Sequence, residues 1–223
     1  MSVSAKIRQG LRVVPAIAAA AVLGLASFEA CAGAQVEEKL AASVVAGLQR
    51  AIADNPVPAN YATGSGLKSW LDEMSKRLAS KVPDGIARDE FMMTVHYEAA
   101  RAGLDPQLVL GVIQHESNFR KYAVSPASAR GYMQVMPFWT KLIGSADHNL
   151  FHLRTNLRYG CTILRHYLDI ENGDLYRALG RYNGSLGQPE YPTAVLAAMN
   201  RNWLYAPAPT PQIGIVPASY TAR

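Results

Sequence analysis

Cysteine is scarce in this chain of 223 residues, which contains only Cys31 and Cys161. Cys31 precedes the cleavage site predicted below, so the mature chain would keep one cysteine and no intramolecular disulfide framework. Cys161 shares a predicted helical stripe with Leu157, Leu164 and Leu168. That position favours a small buried apolar residue over a reactive nucleophile.

The motifs of several enzyme classes are also absent. His115 and Glu116 would begin a zinc-protease helix motif, but Phe119 stands where its second histidine is required. His148 and His152 have the spacing of two metal ligands, without a third ligand or a glutamate base beside them. Neither the glycine-rich loops that hold dinucleotides and phosphates nor the nucleophile elbow of serine hydrolases occurs. We therefore expect no metal site and no cofactor.

Charge of one sign does not dominate the sequence. The 22 Lys and Arg residues against 17 Asp and Glu residues give a net charge of +5. No basic helix and no basic patch with interleaved aromatic residues accompanies this charge, which argues against nucleic acid as a partner. A mildly basic protein is compatible with an anionic polymer such as a cell wall.

The N-terminal apolar run, Val13–Ala26, is shorter than the about 20 residues that a membrane-spanning helix needs. Basic residues precede this run, and Ala32–Ala34 then provides an A-x-A cleavage site. We predict that residues 1–34 are a signal peptide and that the protein is periplasmic or otherwise exported, with no stable membrane span after cleavage. Retention as an anchor, or lipidation at Cys31, is the alternative.

The remaining sequence is predicted to be mostly α-helical, with a helical N-terminal extension and linker at 35–66, a domain at 67–205 and a proline-rich tail at 206–223. Turn residues and apolar periodicity divide this region into helices. The predicted helices are Val36–Ile52, Leu67–Lys81, Ile86–Ala102, Pro106–Ser117, Pro137–Ile143, Thr155–Ile170, Leu175–Tyr182 and Tyr191–Asn200.

Glu116 has an unusual position at the end of an apolar helical stripe. Val109, Val112, Ile113 and Glu116 share one face of the predicted helix. A carboxyl group withdrawn from water has a raised pKa and can serve as a general acid near neutrality. The alternative explanation is that the Glu116 carboxylate is solvated at a frayed end of the helix.

The residues after Glu116 bear on what reaction such an acid could catalyse. Glycoside hydrolysis normally uses a second carboxylate across the scissile bond. The range Ser117–Ala146 contains no Asp or Glu. A lysozyme with its base shortly downstream is therefore disfavoured, although a more distant carboxylate could fold back. The candidates for that role are Asp169, Glu171, Asp174 and Glu190.

Four separated motifs then agree with one known family. The dipeptide E-S at 116–117 is followed by A-V-S-P-A-S-A-R-G-Y-M-Q-V-M-P at Ala123–Pro137, N-L-x-Y-G at Asn156–Gly160 and Y-N-G at Tyr182–Gly184. Their types and order resemble the soluble-lytic-transglycosylase (SLT) domain, over about residues 87–200. Two positions depart from the family pattern: Tyr132 stands where leucine is usual, and Arg181 where alanine is usual.

The resemblance implies a lysozyme-like, mostly α domain that cleaves the MurNAc–GlcNAc β-1,4 bond of peptidoglycan without water. In that scheme Glu116 first protonates the glycosidic oxygen. The carboxylate then accepts the proton of the sugar's 6-hydroxyl, which closes a 1,6-anhydro ring. The substrate's N-acetyl group replaces the missing second carboxylate. The acid-free segment after Glu116 fits this scheme without reference to the family.

The resemblance also implies roles for further residues. Tyr182 is expected to place its hydroxyl near Glu116 and to orient the carboxyl group by a hydrogen bond. The residues expected to contact the glycan strand are Ser117, Gly131, Tyr132, Met133, Gln134 and Asn183. A lysozyme-type hydrolase of the same fold, and an inactive peptidoglycan-binding scaffold of an envelope or secretion complex, are the alternatives.

Overall fold

The computed structural model describes residues 35, 37–53, 61 and 65–206. Most of this part is α-helical, and two isolated β-bridges are its only extended pairings. The predicted signal peptide and the residues from 207 onward lie outside the described residues. The helices are α1 (Ala42–Ile52), α2 (Ser65–Leu78), α3 (Gly85–Arg101), α4 (Pro106–Ser117), α5 (Phe138–Ile143), α6 (Leu153–Ile170), α7 (Leu175–Asn183) and α8 (Glu190–Ala198), followed by a π-helical turn at Met199–Trp203.

The mostly α fold class is confirmed, and the predicted helices are present with shifted ends. The largest shift is at α1, which begins at Ala42 rather than Val36. The preceding residue, Ala41, has an extended backbone, and its side chain forms no capping hydrogen bond. None of the helices that the structure describes combines the length and apolarity required to cross a membrane.

Three helices begin at aspartates that the sequence places directly before them. Asp84, Asp105 and Asp174 each accept a hydrogen bond from a backbone N–H of the first turn, at 2.8–3.0 Å. Such a cap stabilises a helix by about 1 kcal/mol. These caps fix the starts of α3, α4 and α7.

Helix α4 is the buried centre of the domain, and it carries Glu116 at its C-terminal end. Val109, Leu110, Val112 and Ile113 have no exposed surface, because α4 packs against α3, α8 and the π-helical turn. Gly111 permits the close approach of α8, since a Cβ atom there would lie 3.0 Å from the carbonyl oxygen of Val195. The last turn of α4 therefore has little access to water.

The described part of the N-terminal extension packs against the domain. Leu48 and Ile52 of α1 are buried against α5 and α6. The side chain of Gln35 accepts a hydrogen bond from Trp139 Nε1 at 2.8 Å, and both residues are buried. Arg181 of α7 forms an ion pair with Glu38 at 3.4 Å. The extension thus contributes to the core.

The loop after α4 folds back on itself and is held by Asn156. Arg130 forms antiparallel bridges with both Val124 and Val135. Asn156 Nδ2 donates to the carbonyl oxygens of Arg130 and Leu150, and Asn156 Oδ1 accepts from Met133 N–H, each at 2.8 Å. These contacts fix the backbone of the G-Y-M-Q segment, residues 131–134.

Candidate active site

Glu116 is a buried carboxyl group with one hydrogen-bonded oxygen and one without a partner. The residue is 5 % exposed. Its Oε1 accepts a hydrogen bond of 2.5 Å from the hydroxyl of Tyr191, while Oε2 is buried without a hydrogen-bond partner. Burial raises the pKa of Glu116 to about 8, although the Tyr191 hydrogen bond lowers it in part. The group is therefore protonated near neutrality, as a general acid must be.

No neighbouring carboxylate of the described residues contributes to this raised pKa. The four downstream acids named as candidates for a second carboxylate are placed as follows. Asp169 pairs with Arg165, Glu171 pairs with Arg177 and Arg181, Asp174 caps α7, and Glu190 is exposed in the first turn of α8.

Tyr191 was not among the predicted site residues. It lies in the first turn of α8, is 4 % exposed, and packs edge-on against the ring of His115 with centroids 4.9 Å apart. Sequence reasoning had one local signal, the spacing of Tyr191 and Val195 on a helical face. That spacing predicts burial and cannot reveal a partner 75 residues away.

The predicted hydrogen bond from Tyr182 to Glu116 is not formed, so that expectation was wrong. The Tyr182 hydroxyl instead donates to the carbonyl oxygen of Met133 at 2.8 Å. The end of α7 faces the G-Y-M-Q segment, and that carbonyl is a buried acceptor that requires a donor. Tyr182 is nevertheless close to the acid: after burial, the charge of Glu116 is the next cause that raises the pKa of Tyr182.

Ser117 connects the end of α4 to the same segment. Its hydroxyl contacts the carbonyl oxygen of Tyr132 at 2.8 Å and that of Ile113 at 3.2 Å, and the residue is 1 % exposed. The structure therefore places Ser117 between the helix and the loop. Its contacts fix the position of the neighbouring Glu116.

The central residues of the G-Y-M-Q segment point inward. Met133 has no exposed surface, and it packs directly against Gly160. A Cβ atom added to Gly160 would lie 2.4 Å from the Met133 sulfur. Gln134 is 2 % exposed and donates to the carbonyl oxygens of Ala123 and Gly131, at 3.1 and 2.9 Å. A contact between Gln134 and a sugar would compete with these two hydrogen bonds.

Glycine is required at position 131 for two reasons. Its φ of +74° lies in the left-handed region, and a Cβ atom would lie 2.5 Å from Asn156 Nδ2. The structure thus gives Gly131 a role in the loop backbone.

The two remaining predicted residues lie at the edge of this cluster. Tyr132 packs edge-on against Phe91 with centroids 4.9 Å apart, and it is 9 % exposed. Asn183 is equally exposed and donates to Ser185 Oγ at 3.1 Å, while its Oδ1 is buried without a hydrogen-bond partner. Asn183 therefore keeps an acceptor that could serve a ligand.

The described residues contain no group of three or more His, Cys, Asp and Glu side chains that could hold a metal ion. The other deeply buried carboxylate, Glu98, is surrounded by arginines. Arg158 pairs with it at 3.0 Å and Arg101 at 3.1 Å, so its charge is balanced within the core. Glu116 differs from Glu98 because its hydrogen-bond donor among the described residues, the Tyr191 hydroxyl, is neutral.

Comparison with known proteins agrees with this geometry. Residues 93–191 match the family model of the transglycosylase SLT domain, a range that includes Glu116, Tyr182 and Tyr191. A transglycosylase of Enterobacteria phage PRD1 is 35 % identical over 136 residues, which cover 56 % of this chain and 49 % of the phage protein.

Two bacterial relatives match shorter segments. The membrane-bound lytic murein transglycosylase C of Mannheimia succiniciproducens is 44 % identical over 65 residues, covering 29 % of this chain and 16 % of that protein. The protein of the same name from Histophilus somni is 40 % identical over 69 residues, covering 31 % and 17 %. The chain thus spans about half the length of the phage relative and less than a fifth of the other two. Residues 93–191 are thus similar to the transglycosylase SLT domain, and the part of the chain that the structure describes is mostly α-helical.

Proposed function

We propose that the protein is a peptidoglycan lytic transglycosylase, which cleaves the MurNAc–GlcNAc β-1,4 bond and leaves a 1,6-anhydroMurNAc end. The observation that carries the proposal is the solitary state of Glu116. It is a buried carboxyl group with a pKa of about 8, and no second carboxylate among the described residues contributes to that pKa. The names of the phage and murein transglycosylases point to the same reaction and substrate.

In the first step Glu116 is the general acid. Its proton passes to the glycosidic oxygen, and the bond between that oxygen and C1 of MurNAc breaks. The oxygen departs as the 4-hydroxyl of GlcNAc, and the N-acetyl carbonyl of MurNAc stabilises the positive charge that develops at C1. Because the substrate supplies this stabilisation, no second enzyme carboxylate is needed.

In the second step the same group is the general base. The Glu116 carboxylate accepts the proton of the MurNAc 6-hydroxyl, and the 6-oxygen bonds to C1. The anhydro ring closes and Glu116 is protonated again, so no water is consumed. Oε2, which has no hydrogen-bond partner among the described residues, is the atom that exchanges the proton in both steps.

Tyr191 and the G-Y-M-Q segment position the acid. The Tyr191 hydroxyl holds Oε1 and stabilises the carboxylate between the two steps. Ser117 and Tyr182 connect α4 and α7 to the carbonyl oxygens of Tyr132 and Met133. The acid therefore sits on a rigid element, which general acid catalysis requires.

The proposed reaction also implies a location. Peptidoglycan lies outside the cytoplasm, so the protein must be exported to reach it. The predicted signal peptide at 1–34 supports a periplasmic or otherwise exported protein. Glycan strands are the proposed partner. A secretion or envelope complex is a further candidate partner, and no contact of the described residues tests it.

A zymogram combined with product analysis tests the proposal. The purified protein should clear a peptidoglycan gel, and mass spectrometry should find 1,6-anhydro ends, which are lighter by one water than reducing ends. Glu116→Gln should abolish clearing because the amide cannot donate the required proton. Glu190→Gln is the matched control, since Glu190 is an exposed carboxyl group next to Tyr191.

Three results would contradict the proposal. Reducing ends alone would assign the hydrolase reaction instead. Clearing by Glu116→Gln at the wild-type rate would remove Glu116 from catalysis. No clearing by any variant, including the wild type, would favour the inactive scaffold.

A further inference from the structure

A second feature lies on the loop that follows α4, at Tyr122. Tyr122 is 71 % exposed. Its ring packs in a tilted arrangement against Phe151, with centroids 5.7 Å apart and an interplanar angle of 51°. Two aromatic rings from separate segments thus form one surface, here called the Tyr122–Phe151 platform.

Two cations flank this platform. Lys121 Nζ lies 5.3 Å from the centre of the Tyr122 ring, and Arg130 Cζ lies 6.0 Å from the centre of the Phe151 ring. Both side chains are exposed, and neither forms an ion pair with a carboxylate of the described residues. Since Ser117–Ala146 contains no Asp or Glu, the local charge of this loop is positive.

Tyr122 contributes little to the fold, yet the backbone beside it is firmly held. A tyrosine with this exposure buries little apolar area, and the neighbouring Val124 is 60 % exposed. Ala123, between them, accepts hydrogen bonds from Gly131 N–H at 2.9 Å and from Gln134 Nε2 at 3.1 Å. The exposed Tyr122 ring is therefore presented by an ordered loop, beside the half-buried ring of Phe151. Little conformational entropy would be lost when Tyr122 binds a ligand.

We infer that the Tyr122–Phe151 platform binds a peptidoglycan strand outside the position where the bond is cleaved. A sugar ring stacks its C–H face on the aromatic rings, and carboxylates of the peptide stems pair with Lys121 and Arg130. The inference rests on the proposed function, because it takes the same polymer as ligand. Charge complementarity selects this ligand: the stems carry carboxylates, and the two cations of the platform form no ion pair with a carboxylate of the described residues.

Co-sedimentation with insoluble sacculi tests the platform, using Glu116→Gln as the background so that the polymer is not digested. Tyr122→Ala and Phe151→Ala should each raise the half-saturating concentration of sacculi by about threefold to tenfold. Lys121→Gln combined with Arg130→Gln should weaken binding at low salt and remove most of its salt dependence. On glycan strands freed of peptide stems, the aromatic effect should persist and the cation effect should disappear.

Two variants serve as matched controls. Ile170→Ala removes a 40 % exposed apolar side chain at the C-terminal end of α6, roughly 25 Å along that helix from its first residue, Leu153. Lys76→Gln removes an exposed cation from α2. Neither should change binding, and the melting temperature of each variant establishes that it is folded.

The inference is overturned if Tyr122→Ala binds sacculi like its parent, or if Ile170→Ala weakens binding to the same degree. It is also overturned if Tyr122→Ala leaves binding unchanged and instead lowers the mass of the protein in solution, because a second copy would then occupy the platform. Failure of the proposed function has a different signature, which is absence of clearing by the protein with Glu116 intact. Sedimentation and clearing therefore fail independently.

Discussion

Removal of the Tyr191 hydroxyl should change the pH dependence of catalysis in a defined direction. The hydroxyl donates to Glu116 Oε1 at 2.5 Å and lowers the pKa of that carboxyl group, which burial raises to about 8. The first step of the proposed reaction needs the protonated acid. Activity should therefore fall as the pH rises through the pKa of Glu116, which gives the wild type an alkaline limb near pH 8.

Tyr191→Phe removes this hydrogen bond while it keeps the ring against His115. A hydrogen bond to a charged group contributes about 1.5 to 3 kcal/mol, and about 1.4 kcal/mol corresponds to one pH unit. The alkaline limb of kcat/KM should thus move upward by about one to two pH units. The maximal rate should fall about tenfold or more, because the carboxylate formed after the first step loses its donor.

The assay is the release of soluble anhydro-muropeptides as a function of pH. Tyr182→Phe is the control, since its hydroxyl donates to the Met133 carbonyl and not to Glu116. That variant should keep the wild-type alkaline limb, whatever its effect on rate. An unmoved limb in Tyr191→Phe, or an equal displacement in Tyr182→Phe, would refute the role given to Tyr191.

Three further perturbations test the site and the fold. Glu116→Gln should raise the free energy of unfolding in urea by up to about 4 kcal/mol at pH 8. The reason is that Glu116 ionises in the unfolded chain above its ordinary pKa of 4.5, while the folded group stays protonated to about pH 8. The difference between variant and wild type should vanish below pH 4.5, and a pH-independent difference would contradict the burial argument. Arg181→Ala removes the ion pairs with Glu171 and Glu38 and should lower the free energy of unfolding by about 1 kcal/mol or more. Limited proteolysis should then cleave the variant before α1 faster than the wild type. An unchanged cleavage pattern would show that the extension is held without Arg181. Asn156→Ala removes the partner of Met133 N–H and that of the Leu150 carbonyl oxygen, while the Arg130 carbonyl oxygen keeps its hydrogen bond from Val135 N–H. The change should cost about 2 kcal/mol or more. Slower hydrogen exchange of the loop than of helix ends would contradict this.

The predicted starts of α3, α4 and α7 lie within one residue of the observed starts, because local chemistry fixes them. Helices begin after Asp84, Asp105 and Asp174 because a short carboxylate side chain accepts a hydrogen bond from a free backbone N–H group of the first turn. Such a cap depends only on residues that are adjacent in the sequence. The burial of Glu116 could also be predicted, since its neighbours on the helical face are apolar. Periodicity reveals which face of a helix is covered.

Periodicity does not reveal which side chains meet across the core. Tyr182 and Tyr191 both occupy buried helical faces, and a hydrogen bond to Glu116 was assigned to the first although the second makes it. The choice depends on how the end of α7 and the start of α8 are placed against α4. That placement is set by packing, including the close contact at Gly111, and it leaves no local signature in either segment.

The same limit explains why several motif residues point inward. Gln134 and Ser117 have polar side chains, so they are readily predicted from the sequence to line a binding groove. In the structure their side chains contact the carbonyl oxygens of Ala123, Gly131 and Tyr132, and so add side-chain donors to the backbone of the loop after α4. A recurring polar motif can therefore reflect the satisfaction of a loop backbone as well as contact with a ligand.

A single group that acts first as acid and then as base needs an environment between two limits. Burial alone would hold Glu116 protonated so firmly that the carboxylate, once formed, would be very unstable. A charged donor such as the arginines around Glu98 would have the opposite effect and remove the acid. One neutral hydroxyl, that of Tyr191, offsets burial in part and leaves the pKa near 8. The proposed reaction needs this intermediate value, because each step requires the form of Glu116 that the other step produces.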